Sequence, residues 1–226
     1  RKILMFGCND YLDLTNHPKV KEAAAAAIRR YGTGSSGSRL LNGTLDLHVK
    51  VEAELAALMQ KEDAMTFGTG FQTNYASLAG LTDRGDVLVC DHNVHASLVD
   101  GALRSEARIV RFRHNDMDHL AHCLESCAPE EKVLIVTESV FSMEGDTADL
   151  AGTVEVARRY SARIFVDEAH GLGVFGPNGA GLAEHLGVLD GMDVVMGTFS
   201  KSLASVGGFV ASSAPVIEYL KHTARP

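Results

Sequence analysis

The sequence has few cysteines, a shortage of positive charge and no long apolar run. Its four cysteines, Cys8, Cys90, Cys123 and Cys127, lack the paired spacing of a secreted disulfide scaffold. They are expected to be reduced thiols in a cytoplasmic protein. Neither a signal peptide nor an apolar span long enough to cross a bilayer is present, so no transmembrane segment is expected. Lysine and arginine total 21 against 29 aspartates and glutamates, a net charge of -8 that weighs against nucleic acid as a partner. No Gly-Lys-Ser or Gly-Lys-Thr closes a phosphate loop, and no Gly-x-Gly-x-x-Gly marks a dinucleotide site. What is present is a chain of 226 residues with 46% hydrophobic content, enough for one sizeable core. It starts abruptly at Arg1-Lys2-Ile3-Leu4 and stops abruptly at Thr223-Ala224-Arg225-Pro226, as though cut from something longer.

The periodicity predicts strands alternating with helices. His17-Pro18 opens a helix to Arg30, with Pro18 suited to a first turn. Gly32 to Arg39 is too rich in glycine and serine to be regular. Thr44 is expected to cap a helix running to Lys61, with Leu47, Val51, Leu55 and Leu58 on one side. A helix from the Phe67–Asn74 stretch to Leu81 follows. Strands are then expected at 87–90, 108–112, 133–137, 163–166, 192–196 and 207–211. Helices are expected between the first four of these, over 96–103, 117–127 and 150–160. Alternation of this kind predicts an α/β fold with a mostly parallel sheet and helices on both faces. In such sheets ligands bind beyond the carboxyl ends of the strands, and Asp91, His92, His95, Glu138, Asp167, His170 and Lys201 all fall there.

Lys201, in Gly197-Thr198-Phe199-Ser200-Lys201-Ser202, sits between two apolar runs. It is either a solvated loop lysine or an amine lowered in pKa to form a Schiff base. Gly68-Thr69-Gly70-Phe71 precedes a helix whose free N–H groups suit a phosphate, with Thr198 and Ser200 as further hydroxyl donors. Asp167 ends a hydrophobic strand, where a buried carboxylate needs a cationic partner such as a protonated pyridine nitrogen. A helix cap or a metal shared with Glu168 and His170 is the alternative, though no third ligand is identifiable. His95 is suited to stack on an aromatic ring or to cap a helix. His170 is suited to bond a phenolic oxygen or a neighbouring carbonyl. His119, His122, Cys123 and Cys127 resemble metal ligands, but a single helix cannot close a tetrahedron, and burial explains the cysteines.

Taken in order, seven pieces are similar to one family. They are Asn9-Asp10-Tyr11-Leu12, Gly34 to Arg39, Gly68 to Phe71, Asp91 to Ser97, Thr137 to Asp146, Val166 to Gly171 and Gly197 to Ser202. The sequence resembles the α-oxoamine synthases, enzymes of the aspartate-aminotransferase-like type I fold that use pyridoxal 5'-phosphate. The resemblance implies that Lys201 binds the cofactor as an imine and removes the substrate Cα proton. It implies that Asp167 partners the pyridinium, His95 stacks on the ring and His170 bonds the phenolic oxygen. Gly70 and Phe71 would hold the phosphate through backbone N–H groups, helped by Thr198 and Ser200. Ser142 and Glu138 would lie beside the cofactor, and Asn9 would approach the substrate carboxylate. Catalysis would rest on Lys201, His95 and Asp167, without a metal.

The implied reaction condenses an amino acid (serine, alanine or glycine) with an acyl-CoA, releasing coenzyme A and carbon dioxide. Ser200 and Glu168 lean toward the serine palmitoyltransferase pattern. The 8-amino-7-oxononanoate synthases, glycine C-acetyltransferases and a catalytically idle partner subunit are the alternatives. Asp13 stands where the family pattern has glycine, a site of special backbone geometry that aspartate can also adopt. The resemblance further implies a homodimer with a shared active site. Residues 1–45 would form an amino-terminal segment and interface loop, and residues 46–226 the cofactor-binding large domain. The small carboxy-terminal domain, with its carboxylate-clamping arginine, would lie beyond residue 226.

Overall fold

The structure is a computed structural model that describes residues 3–225. Seven strands of the described residues make one sheet: β1 (Asp63–Phe67), β2 (Val87–Asp91), β3 (Arg108–Phe112), β4 (Val133–Glu138), β5 (Arg163–Asp167), β6 (Val194–Thr198) and β7 (Gly208–Ser212). Their order is β1-β7-β6-β5-β4-β2-β3. From β3 through β6 every pairing is parallel. β7 then turns back antiparallel to β6 and pairs antiparallel with β1 at the edge.

Among the described residues eight α-helices accompany the sheet: α1 (Pro18–Tyr31), α2 (Asp46–Leu58), α3 (Gly70–Leu81), α4 (Ala96–Arg104), α5 (Met117–Glu125), α6 (Leu150–Tyr160), α7 (Leu182–His185) and α8 (Ala214–Thr223). β2, β6 and β7 are buried at every position, as expected for strands covered on both faces. That is why their sequences are apolar runs rather than alternating ones. α3 and α4 pack closely because Gly101 has no side chain. A Cβ there would lie 3.0 Å from both Asn74 O and Tyr75 Cα. Among the described residues no helix is long and apolar enough to cross a membrane.

The mostly parallel α/β class agrees with the sequence reading, and several local details differ. β1 was not foreseen. It is only five residues long, and half-buried Met65 and Thr66 break any clear alternation. Thr44 does not cap α2, because its Oγ1 donates instead to Arg39 O at 2.6 Å. Leu45 is the N-cap residue, and its N–H reaches His48 Nδ1 at 3.0 Å. α2 also stops at Leu58, and Leu47 and Val51 face outward. The irregular loop before it is tied down by Arg39, which forks onto Glu52 at 2.7 and 2.9 Å. Glu52 in turn accepts the Thr66 N–H at 2.8 Å, joining loop, α2 and β1. Asp13 has φ 52°, the left-handed conformation that its place in the pattern requires.

The chain crosses from the β3 edge to β4 on the far side of β2, so the direction of winding reverses between β2 and β4. Crevices at such reversals, outside the carboxyl ends of the strands, are where open α/β sheets bind ligands.

Candidate active site

A cavity of about 280 Å3 opens at those strand ends. Its walls include Gly70 and Phe71 from the start of α3, and His95 before α4. Glu138 ends β4, Asp167 ends β5 and Thr198 ends β6, with His170, Ser200 and Lys201 from the following turns. The structure thus brings together nine of the eleven predicted site residues. Ser142 and Asn9 are the other two. They line a neighbouring cavity of about 460 Å3, whose wall also includes His170.

Each wall has a local cause. Thr69 caps α3 by accepting the Gln72 N–H at 3.0 Å. The earlier N–H groups of Gly70 and Phe71 have no partner inside the helix and are available to an anion. Gly70 must lack a side chain, since a Cβ would come within 2.4 Å of Thr198 Cγ2. Thr198 Oγ1 is itself buried and without a hydrogen-bond partner among the described residues.

Asp167 is 4% exposed, and both of its oxygens are engaged. Oδ1 accepts the Ala169 N–H at 2.8 Å and Oδ2 accepts an Asn74 Nδ2 hydrogen at 2.7 Å. Glu138 is its register partner on β4, so two carboxyl groups stand side by side. Burial, and then the charge of Asp167, push Glu138 up to about 8. The His95 backbone N–H donates to Glu138 Oε1 and opposes that rise. Lys201 is half-buried, and burial lowers its amine below the ordinary lysine value against the pull of Asp167 and Glu138. An amine lowered in this way is more available as a nucleophile or base. Burial, and then the Lys201 charge, push the His170 imidazole down to about 4, so it is neutral at pH 7. Tyr11 Oη lies 2.6 Å from His170 Nδ1.

His95 does cap α4, its Nδ1 accepting the Ser97 N–H at 3.2 Å, and it lines the cavity as well. Glu168 points away from the cavity, as strand alternation demands. Its buried carboxylate accepts the N–H groups of Leu182 and Ala183 at 3.0 and 2.8 Å, fixing the start of α7. Among the cavity residues to which the sequence reading gave no role are two buried polar ones, Asn74 and Ser97. Asn74 follows Gly70 by four residues on α3, which puts it on the same helix face and was the available signal.

The entire chain, residues 1–226, matches the family model described as aminotransferase class I and II. The chain belongs to the aminotransferase class I and II family. Within this family it is 50% identical over 223 residues to a serine palmitoyltransferase from Bacteroides thetaiotaomicron, covering 99% of this chain and 57% of the relative. It is 52% identical over 221 residues to a putative 8-amino-7-oxononanoate synthase 2 of Mycobacterium tuberculosis, covering 98% of this chain and 28% of that protein. A solved serine palmitoyltransferase variant from S. paucimobilis, with a bound PLP–myriocin aldimine, superposes with a TM-score of 0.94 at 40% identity. That match covers 97% of this chain and 55% of the other. The resemblance to α-oxoamine synthases therefore stands, as does the aspartate-aminotransferase-like fold. The chain spans about half the length of most of the curated relatives it matches.

Proposed function

We propose that the complete protein is a pyridoxal-phosphate-dependent acyltransferase, condensing a small amino acid with an acyl-CoA and releasing carbon dioxide. The serine palmitoyltransferase type is the leading form. One observation carries this reading. A lysine of lowered pKa, a doubly bonded carboxylate and a phosphate-ready helix end share one cavity.

The residues fit the cofactor. The partnerless Thr198 hydroxyl, the space kept by Gly70 and the open N–H groups of α3 suit its phosphate, with Ser200 at the rim. Asp167 suits its ring nitrogen, His95 its ring face, His170 its phenolic oxygen and Lys201 its carbonyl carbon. When bound, the cofactor supplies an electron sink for negative charge at the amino acid Cα. Lys201 Nζ would be the group that takes the Cα proton, and burial lowers its amine below the ordinary lysine value. Two N–H donors hold the Asp167 oxygens in place. His170 is neutral and acts as a hydrogen-bond donor, not as a charge. Glu138, raised to about 8, spares the cavity a second negative charge at neutral pH.

Serine, alanine or glycine is the amino-acid class that this family pattern accepts. Asn9 and Ser142 line the adjoining cavity with His170, where they would contact substrate more than cofactor. An 8-amino-7-oxononanoate synthase activity is the second reading, favoured by the high identity to the putative mycobacterial synthase. Residues 46–226 serve as the cofactor-binding large domain and residues 1–45 as an arm against a second copy. Large apolar side chains of the arm are uncovered here. Phe6 is 93% exposed and Leu41 83%, and α1 buries no residue. A cytoplasmic location fits the free cysteines.

The test is borohydride reduction of the full-length protein loaded with pyridoxal phosphate, followed by peptide mass mapping. The adduct is expected on Lys201. A folded protein that carries it elsewhere, or not at all, overturns the reading. A product assay across serine, alanine and glycine with acyl-CoAs of varied length then assigns the substrate pair.

A further inference from the structure

We infer that Asn74 and Ser97 form a hydrogen-bonded bridge that locks the His95 imidazole to the Asp167 carboxylate, making both of them positioning residues of this site.

Asn74, on α3, and Ser97, on α4, are each 1% exposed, so water does not compete for their polar atoms. Asn74 Nδ2 lies 2.7 Å from Asp167 Oδ2 and 2.9 Å from Ser97 Oγ. Ser97 Oγ lies 2.8 Å from His95 Nδ1. The carboxylate can only accept, so the group facing it must be the amide nitrogen, and this fixes the orientation of the Asn74 side chain. The second amide hydrogen points at Ser97 Oγ, which accepts it. At the other end His95 Nδ1 accepts the Ser97 backbone N–H at 3.2 Å, so this nitrogen is the acceptor and the Ser97 hydroxyl proton points to it. With two donors aimed at Nδ1, the neutral His95 ring carries its proton on Nε2.

The bridge therefore runs from β5 through α3 to α4 with one permitted polarity. It exists because Gly101 lets α3 and α4 approach, with Asn74 O only 3.0 Å from where a Cβ would stand. Its effect is to make ring plane and carboxylate one rigid unit. His95, an exposed residue on a loop, would otherwise be free to turn about its side-chain bonds. Holding two groups in register before a ligand arrives spares the ordering cost of binding.

As applied to the cofactor, the inference rests on the function proposed above. The bridge itself can be tested without cofactor. Full-length protein labelled with 15N-histidine is examined by NMR in its cofactor-free form. In the wild type, His95 should show an unprotonated, hydrogen-bonded Nδ1 and a protonated Nε2. Ser97→Ala leaves the backbone N–H on Nδ1, so the tautomer should hold while the Nδ1 shift moves toward that of a more weakly hydrogen-bonded nitrogen. Asn74→Ala should move it in the same direction, because the hydroxyl is no longer oriented. With pyridoxal phosphate added, each variant should bind it about tenfold more weakly, and the double variant no more weakly than Asn74→Ala alone. An unchanged His95 Nδ1 shift in Ser97→Ala, or losses that multiply in the double variant, would overturn the bridge. Ser97→Ala removes one oxygen only, so it keeps the test decisive if Asn74→Ala does not fold. Absence of a Lys201 adduct would sink the cofactor reading and leave the tautomer result standing.

Discussion

Replacing Glu138 with glutamine should shift the stability of the cofactor-free protein in the variant's favour as the pH rises from mild acid into alkali. Glu138 is 5% exposed, beside Asp167, and its carboxyl is raised from 4.5 to about 8. A carboxyl with a raised folded value binds its proton more tightly in the native state than in the unfolded chain. Its contribution is therefore most favourable below about pH 4.5 and declines as the pH rises to about 8, flattening beyond. At about 1.4 kcal/mol per unit, that rise corresponds to a loss of about 5 kcal/mol across the window. Glutamine keeps an oxygen for the His95 N–H and never ionises. Its amide hydrogens cost about 1–3 kcal/mol if unpaired, but that cost does not depend on pH and cancels between pH values. Urea denaturation of full-length wild type and Glu138→Gln at pH 5, 7 and 9, at one protein concentration, reads the difference. The variant should gain on the wild type by several kcal/mol between pH 5 and pH 9. Parallel stability curves would mean that Glu138 is ionised throughout, and that the pairing with Asp167 does not govern its proton.

Three further outcomes are expected. Gly70→Ala, whose Cβ would stand 2.4 Å from Thr198 Cγ2, should weaken pyridoxal phosphate binding about tenfold or more in an absorbance titration, from an overpacking cost of about 1–3 kcal/mol. Arg39→Ala strips a forked partner from Glu52, which is 6% exposed. It should destabilise the protein by about 3–5 kcal/mol in denaturant, and Glu52→Gln added to it should recover part of the loss. Light scattering of the full-length protein should give the mass of two subunits, and a single-subunit mass would remove the proposed role of residues 1–45.

The sheet was legible where burial on both faces leaves an unbroken apolar run, as in Val87-Leu88-Val89-Cys90 and Val133-Leu134-Ile135-Val136. The chemistry was legible because polar residues such as Asp167 and Glu138 end those runs, and a charge at that place needs a reason. β1 was not legible, since an edge strand takes its identity from its partner β7 and not from its own residues. The cap of α2 was misread because the Thr44 hydroxyl had a nearer acceptor, the Arg39 carbonyl. Asn74 and Ser97 were missed for a related reason. Each is ordinary in its own helix, and its meaning arises only when Gly101 brings the helices into contact. Ser142 and Asn9 share a motif-level signature with the cofactor residues, yet loop geometry places them one cavity away.

The antiparallel pairing of β1 with β7 sets an order on events during synthesis. Asp63 finds Ser212 across the ladder, and the Lys221–Asp63 ion pair joins residues 158 positions apart. At ~5–20 residues per second, β1 leaves the ribosome on the order of ten seconds before its only strand partner. Throughout that interval Ala64 and Phe67, both buried in the finished protein, have no ladder to join. Among the described strands, the first made is thus the last to be seated. A nascent chain stalled before residue 208 would display it to chaperones or to neighbouring chains.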